Sequence, residues 1–328
     1  MTGRDGGATL AMHPLIRLVL GRLVALVPML LALSIASFAL VHVIPGDPAL
    51  VIMGGEGTPQ AVEELRRQLG LDRPLHVRYL EWLGQIARGD LGQSLYNKTR
   101  VSEELVWRMP TTLALVTLAL VFSVAIGVPA GLLSAAFRNS WIDHAARLLT
   151  LVSLSLPSFW LGLMLIILFS LWLDLLPIVG YEPITRGIWK AVPFLILPSL
   201  SLGAYLAALL TRLTRSSMLE VLNQDYVRTA RAKGLHDRVV LMRHALRNAL
   251  IPIVTVIGIN IGILLGGSAV IETVFVLPGV GQLVVRSLYN RDLPVIQGLI
   301  LYVAVVYVLV NLLVDVLYTY LDPRLRPN

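Results

Sequence analysis

Runs of about 20 apolar residues limit what this chain can fold into more than any other feature, because each is long enough to cross a hydrocarbon core of roughly 30 Å as a helix. They fall at about residues 23–43, 113–133, 148–172, 194–213, 251–271 and 295–317. The predicted fold class is all-α and polytopic, with six transmembrane helices. Charged residues make up 14% of the chain, against about a quarter in a soluble domain, which excludes an ordinary soluble protein. The first run follows Arg17 and Arg22 and so carries the basic flank of a secretory signal. A cleavable apolar region spans only about 7–15 residues, so this run is expected to remain as an anchor, with Met12 as an alternative start.

Charge sets the expected orientation. The segments before span 1, between spans 2 and 3, between spans 4 and 5, and after span 6 hold about 15 Lys and Arg, whereas the two short loops opposite hold about four. Both termini are predicted to be cytoplasmic. The predicted organisation is a cytoplasmic segment 1–22, a first span 23–43, an extracytoplasmic region 44–110, a membrane core 111–318 with a cytoplasmic loop 214–250, and a cytoplasmic tail 319–328. The formal charge of +7 lies beside apolar runs, where it suits an anionic leaflet, and no nucleic-acid motif accompanies it. The chain has no Cys, which removes disulfides and thiolate chemistry.

Pro28, Pro129, Pro157 and Pro198 interrupt the runs, which a membrane tolerates where neighbouring helices or a hydrated cavity satisfy the freed backbone groups. Pro157 stands among Ser153, Ser155 and Ser158, so span 3 either lines a hydrated path or repairs its own backbone with hydroxyls. Gly258, Gly262 and Gly266 form a small-residue stripe on span 5, read as a helix-packing face. Asn260 is the polar residue in span 5, and Asn311 and Asp315 share a face of span 6 one turn apart. The latter two are read as a structural tie, with Arg212 or Arg215 as the partner of Asp315. Glu272, at the end of span 5, is read as a gate or loop anchor.

The loop between spans 4 and 5 is basic and amphipathic and reads as two short helices. Asp225 is expected to cap the first, over Tyr226 to Lys233, with Gly234 ending it in left-handed geometry, and Asp237 to cap the second. Tyr226, Ala230 and Lys233 would share a face, with small Ala230 admitting a docking partner. Composition alone fits equally an interfacial helix held on anionic lipid by Arg228, Arg231 and Lys233.

The loop resembles the coupling loop of ATP-binding-cassette importer permeases, in the form used by the dipeptide, oligopeptide and glutathione branch. The general pattern is Glu-Ala-Ala, three residues, then Gly; aligned on Gly234 this chain has Arg228-Thr229-Ala230, which departs at the first two positions but is similar to the peptide branch. Leu246 to Pro252, Pro45-Gly46-Asp47-Pro48, the run from Gly70, Gly89-Asp90-Leu91-Gly92, Leu264 to Ser268, Pro278 to Gly281, Arg291-Asp292-Leu293-Pro294 and Asp322-Pro323-Arg324 extend the resemblance over nearly the whole chain. It implies a type I ABC importer permease fold in a prokaryotic inner membrane. Tyr226, Arg228, Thr229, Ala230, Lys233 and Gly234 would couple to an ATPase subunit, and Ser153, Ser155, Pro157, Asn260 and Glu272 would belong to a translocation path or gate. It further implies a second homologous permease subunit, two nucleotide-binding subunits that carry ATP and Mg, and an extracytoplasmic binding protein, with peptides or peptide-like solutes such as glutathione as cargo. A nickel-chelate permease is the variant within the same family.

Other chemistries lack their residues. The nearest approach to a phosphate-binding loop, Gly92 to Thr99, has Asn97 in place of the second Gly and no strand before it, so ATP hydrolysis is not expected of this chain. A membrane protease or metalloenzyme would need a nucleophile with its base, or clustered ligands. His42, His76, His144, His236 and His244 are instead scattered over loops and span ends. An ion-coupled secondary transporter is the rival, and it would rely on Asn260, Asn311 and Asp315.

Overall fold

The computed structural model describes residues 14–43, 49, 53, 58–68, 70 and 72–321. Eleven helices organise them: α1 (Pro14–Val43), α2 (Pro59–Gln68), α3 (Leu75–Ala87), α4 (Val101–Ala136), α5 (Trp141–Ser155), α6 (Ser158–Trp172), α7 (Ile188–Leu222), α8 (Asp225–Ala232), α9 (Leu246–Val274), α10 (Val280–Tyr289) and α11 (Leu293–Leu321). The described residues contain no strand, only an isolated bridge between Gln93 and Arg100. Among the described residues four helices are long and apolar enough to cross a membrane, and the pair α5–α6 would make a fifth; α1 contributes the shorter apolar stretch Val24–Ala39.

The expected third span, 148–172, is not one rod. It breaks between α5 and α6, which meet at 110°. Pro157 explains the break: it disfavours a helical Leu156, whose ψ is +132°, and becomes the N-cap residue of α6 at ψ +138°. Pro28, Pro129 and Pro198 sit inside continuous helices. The last turns of α6, Ile166–Trp172, widen to π geometry.

The centre of the fold is the crossing of α4 and α7, against which α5, α6 and α9 pack, while α1 lies on α11. Gly127, Gly131 and Gly203 make the crossing possible. A Cβ on Gly127 would stand 2.6 Å from the Ala207 carbonyl oxygen, on Gly131 2.5 Å from that of Thr211, and on Gly203 2.5 Å from that of Ala119. Backbone therefore meets backbone along the helix pair, the arrangement that small residues permit where lipid leaves little hydrophobic drive between helices. Leu115, Leu206, Leu210, Ile253 and Ile271 close the core around it.

The stripe read as a packing face on span 5 divides. Gly262 faces Tyr307 of α11, whose ring a Cβ would meet at 2.5 Å, whereas Gly266 is exposed with nothing within 4 Å of that position. Gly258 is buried.

Candidate functional site

The loop between α7 and α9 projects from one end of the bundle. Gln224 and His236, in extended geometry, take the N-cap positions expected of Asp225 and Asp237. Both aspartates occupy the first turn instead, where a carboxylate favours the positive end of the helix dipole without donating a cap. Gly234 adopts φ +78°, and nothing lies within 4 Å of a Cβ there, so the position selects glycine through backbone conformation alone. The returning chain makes one α-turn, Asp237–Val239, then a π segment, Val240–Ala245, that runs straight into α9.

Ala230 does not form part of an open docking face. It is buried with Val227 and Val240, and it admits the returning π segment of this same chain. The exposed face carries Arg228, Thr229 and Lys233, with Arg228 3.6 Å from Asp225, and Arg231 3.3 Å from Asp237. Tyr226 is exposed at the loop base, where Asn248 donates to its hydroxyl at 2.7 Å and the hydroxyl donates to the His244 carbonyl at 3.4 Å.

Beneath the loop, Met218 of α7 packs with Ala135 of α4 and with Ala245 and Ala249, which lead into α9. Beside this cluster Arg215 grips Asp143 through two bonds, Nε to Oδ1 at 2.7 Å and Nη2 to Oδ2 at 2.9 Å. Ser134 of α4 donates to Oδ1 at 2.6 Å and the Asn139 N–H to Oδ2 at 3.0 Å. Asp143 is fully buried, and Arg147 comes within 3.5 Å of it from the half-exposed side. Among the described residues the carboxylate partner of Arg215 is Asp143. The side chains of Asn311 and Asp315 lie outside the described residues. The signal for Asp143 in the sequence is a lone acid between Arg138 and Arg147, three residues after Ser140, which caps α5 by accepting from the Asp143 N–H.

The opposite end holds a second polar network. Glu272, fully buried, accepts from the Thr112 hydroxyl at 2.7 Å and from the Gln282 N–H at 2.8 Å, while Thr112 accepts from the Val280 N–H at 2.8 Å. A Cβ on Gly279 would collide with the Glu272 carboxyl. The Pro278–Gly281 turn is thus wrapped around this carboxylate, which acts as a loop anchor. Nearby, Asp292 accepts from the Ser94 hydroxyl and from the Leu95 N–H at 3.0 Å, both ahead of α4. Gly92 lies against Pro294. Two sequence fragments about 200 residues apart, 89–92 and 291–294, are therefore neighbours. Arg108, buried, reaches Glu104 at 3.1 Å and Gln282 at 3.4 Å. Of these residues, sequence reasoning singled out only Glu272 as a site.

The residues expected to line a path are separated. Ser155 donates to the Leu151 carbonyl at 2.9 Å and Asn260 to the Val256 carbonyl at 2.8 Å, each within its own helix. Ser153 borders a cavity of about 470 Å³ between α4, α5, α6 and α7 that is lined mainly by apolar side chains such as Phe122, Ile126 and Leu149. Pro157 is exposed at the α5–α6 break. Among the described residues no group of three or more His, Asp or Glu is placed to hold a metal ion.

Residues 127–327 match the family described as the binding-protein-dependent transport system inner membrane component, and residues 15–116 match its N-terminal membrane component. The chain belongs to this family. The permease is 42% identical over 325 residues to the dipeptide transport system permease protein DppB of Alkalihalophilus pseudofirmus, covering 93% of this chain and 98% of that one. It is 44% identical over 308 residues to the glutathione transport system permease protein GsiC of Salmonella choleraesuis, covering 94% and 98%. An inward-facing structure of the MetNI methionine ABC transporter matches with a TM-score of 0.53 at 21% identity, over 66% of this chain and 96% of the other. That similarity establishes the fold alone. The permease is a multi-pass membrane protein and a transport subunit, and membership of the family implies ATPase and binding-protein partners in general.

Proposed function

We propose that this permease carries dipeptides, oligopeptides or related solutes such as glutathione inward across the cytoplasmic membrane of a prokaryote. It does so as one of two homologous but different permease subunits. Two nucleotide-binding subunits bind ATP and Mg and hydrolyse the nucleotide, and an extracytoplasmic binding protein delivers the solute. The proposed topology has six spans, with α1 and the broken pair α5–α6 each counted as one, and both termini in the cytoplasm. The observation that carries the reading is identity of 42–44% with dipeptide and glutathione permeases over more than nine-tenths of the chain.

The coupling role falls on loop 214–250. Its first helix presents Arg228, Thr229 and Lys233 to a partner, Gly234 sets the bend, and Tyr226 and Ala230 hold the loop to itself. ATPase closure would push this arm as a rigid lever and bias the permease between inward-facing and outward-facing states. For solute passage the candidates remain Ser153, Ser155, Pro157, Asn260 and Glu272, with Glu272 acting as a fixed anchor of the far-end turn. Of the stripe, Gly258 and Gly262 serve helix packing, and Asn311 with Asp315 ties span 6.

The deciding experiment is co-purification from membranes followed by peptide-stimulated ATPase measurement in liposomes containing the binding protein, with dipeptide, glutathione and nickel chelate compared. Nucleotide-binding subunits should co-purify. Gly234→Pro, which forbids φ +78°, should keep basal hydrolysis and lose the stimulation. Uptake that follows an ion gradient without ATPase subunits would overturn the reading in favour of a secondary transporter.

A further inference from the structure

We infer that Asp143 is a positioning residue for energy coupling: held by Arg215, it fixes the loop-bearing end of α7 to the α4–α5 corner, so that movement of the loop is delivered to the core. The inference rests on the functional reading above, in which ATPase subunits drive the loop.

The argument starts from what the α4–α7 crossing lacks. Gly127, Gly131 and Gly203 bring the backbones together, but contact between smooth helix faces resists separation better than sliding or rotation. A load applied at α8 enters through α7, which continues for about two helical turns beyond Arg215 to Leu222. Something directional must hold α7 in register at that point. The Arg215–Asp143 bond is bidentate, and the second and third anchors of the same carboxylate, the Ser134 hydroxyl and the Asn139 N–H, belong to α4 and the corner after it. Because the carboxylate is fully buried, slippage by one residue would leave its charge buried without the guanidinium that compensates it. Three elements are thereby indexed on one side chain. Arg147, at 3.5 Å, is the other cation facing the group, and it lies on Asp143's own helix, where it adds charge without joining a further element.

The test uses the natural absence of cysteine. Spin labels at Arg138→Cys and Ser216→Cys, both exposed, report the distance between the corner and α7 in the full complex in liposomes, with and without ATP and vanadate. In the otherwise unaltered chain this distance should stay constant. In D143N it should broaden and shift on nucleotide binding, while transport per ATP hydrolysed falls by about tenfold, within the usual range for coupling between sites. D143N leaves Arg215 unpaired, so D143N/R215Q provides the folded control: it should assemble and hydrolyse ATP like the unaltered complex yet remain uncoupled, because a neutral amide pair lacks the ionic bidentate hold. A label distance that changes with nucleotide while Asp143 is intact overturns the inference. So does transport per ATP in D143N/R215Q equal to that of the unaltered complex. Failure of the unaltered complex to couple ATP to any peptide would strike the functional reading instead.

Discussion

The two ends of the bundle bury carboxylates in opposite ways. At the far end Glu272 and Asp292 are held by neutral donors alone, hydroxyls and backbone N–H groups: Thr112 and Gln282 for the first, Ser94 and Leu95 for the second. At the loop end Asp143 is held by a guanidinium from a helix 72 residues away. Neutral donors suit a carboxylate that stabilises local geometry, since each bond is short-range and individually modest. An ion pair suits a joint under load, because breaking it exposes two uncompensated charges. The far end is built to keep a shape and the loop end to withstand a force.

Five substitutions break or sharpen this contrast, and thermal unfolding in detergent reads each. Asp143→Asn should cost most, about 3 kcal/mol, at the low end of the range for a broken buried pair because Arg215 retains some water. Gly131→Ala should follow at about 2 kcal/mol, since its Cβ would stand 2.5 Å from a carbonyl oxygen that cannot retreat. Gly266→Ala, in the stripe that looked more important in the sequence, should be neutral to within about 0.5 kcal/mol. Thr112→Val should cost about 1–2 kcal/mol by leaving Glu272 and the Val280 N–H each short of a partner. Asn260→Leu should cost about 0.6 kcal/mol or less, because its amide bonds a carbonyl of its own helix. A large loss at Asn260 together with a small one at Asp143 would reverse the assignment of which polar group carries the architecture.

The helical class and the long apolar helices were legible because the apolar runs match membrane thickness, and the loop was legible because Gly234 and its basic flanks stand out against them. Less was readable where the determinant is pairwise. Nothing in the local sequence distinguishes Gly131, pressed against a backbone oxygen, from Gly266, which faces open space, since only the path of α7 separates them. Ala230 looked like a docking contact because a small residue on a helix face admits any neighbour, and the neighbour proved to be Val240 of the same loop. Pro157 shows the limit of periodicity: its apolar surroundings read as one span, and whether such a proline breaks a helix, as Pro129 and Pro198 do not, depends on whether the preceding residue takes extended geometry. Asp143 had a weak signal, one acid in a loop where basic residues are favoured, but its partner could not be named without the fold.

The widened turn at Val240–Ala245 has a mechanical meaning of its own. Hydrogen bonding from i to i+5 accommodates one more residue than an α-turn does, so the chain leaving the loop carries a spare residue just before α9 begins. Drawing that residue into ordinary α-register would rotate everything beyond it by about 100°. The segment thus stores one residue of slack at the point where the chain passes from the loop into the bundle.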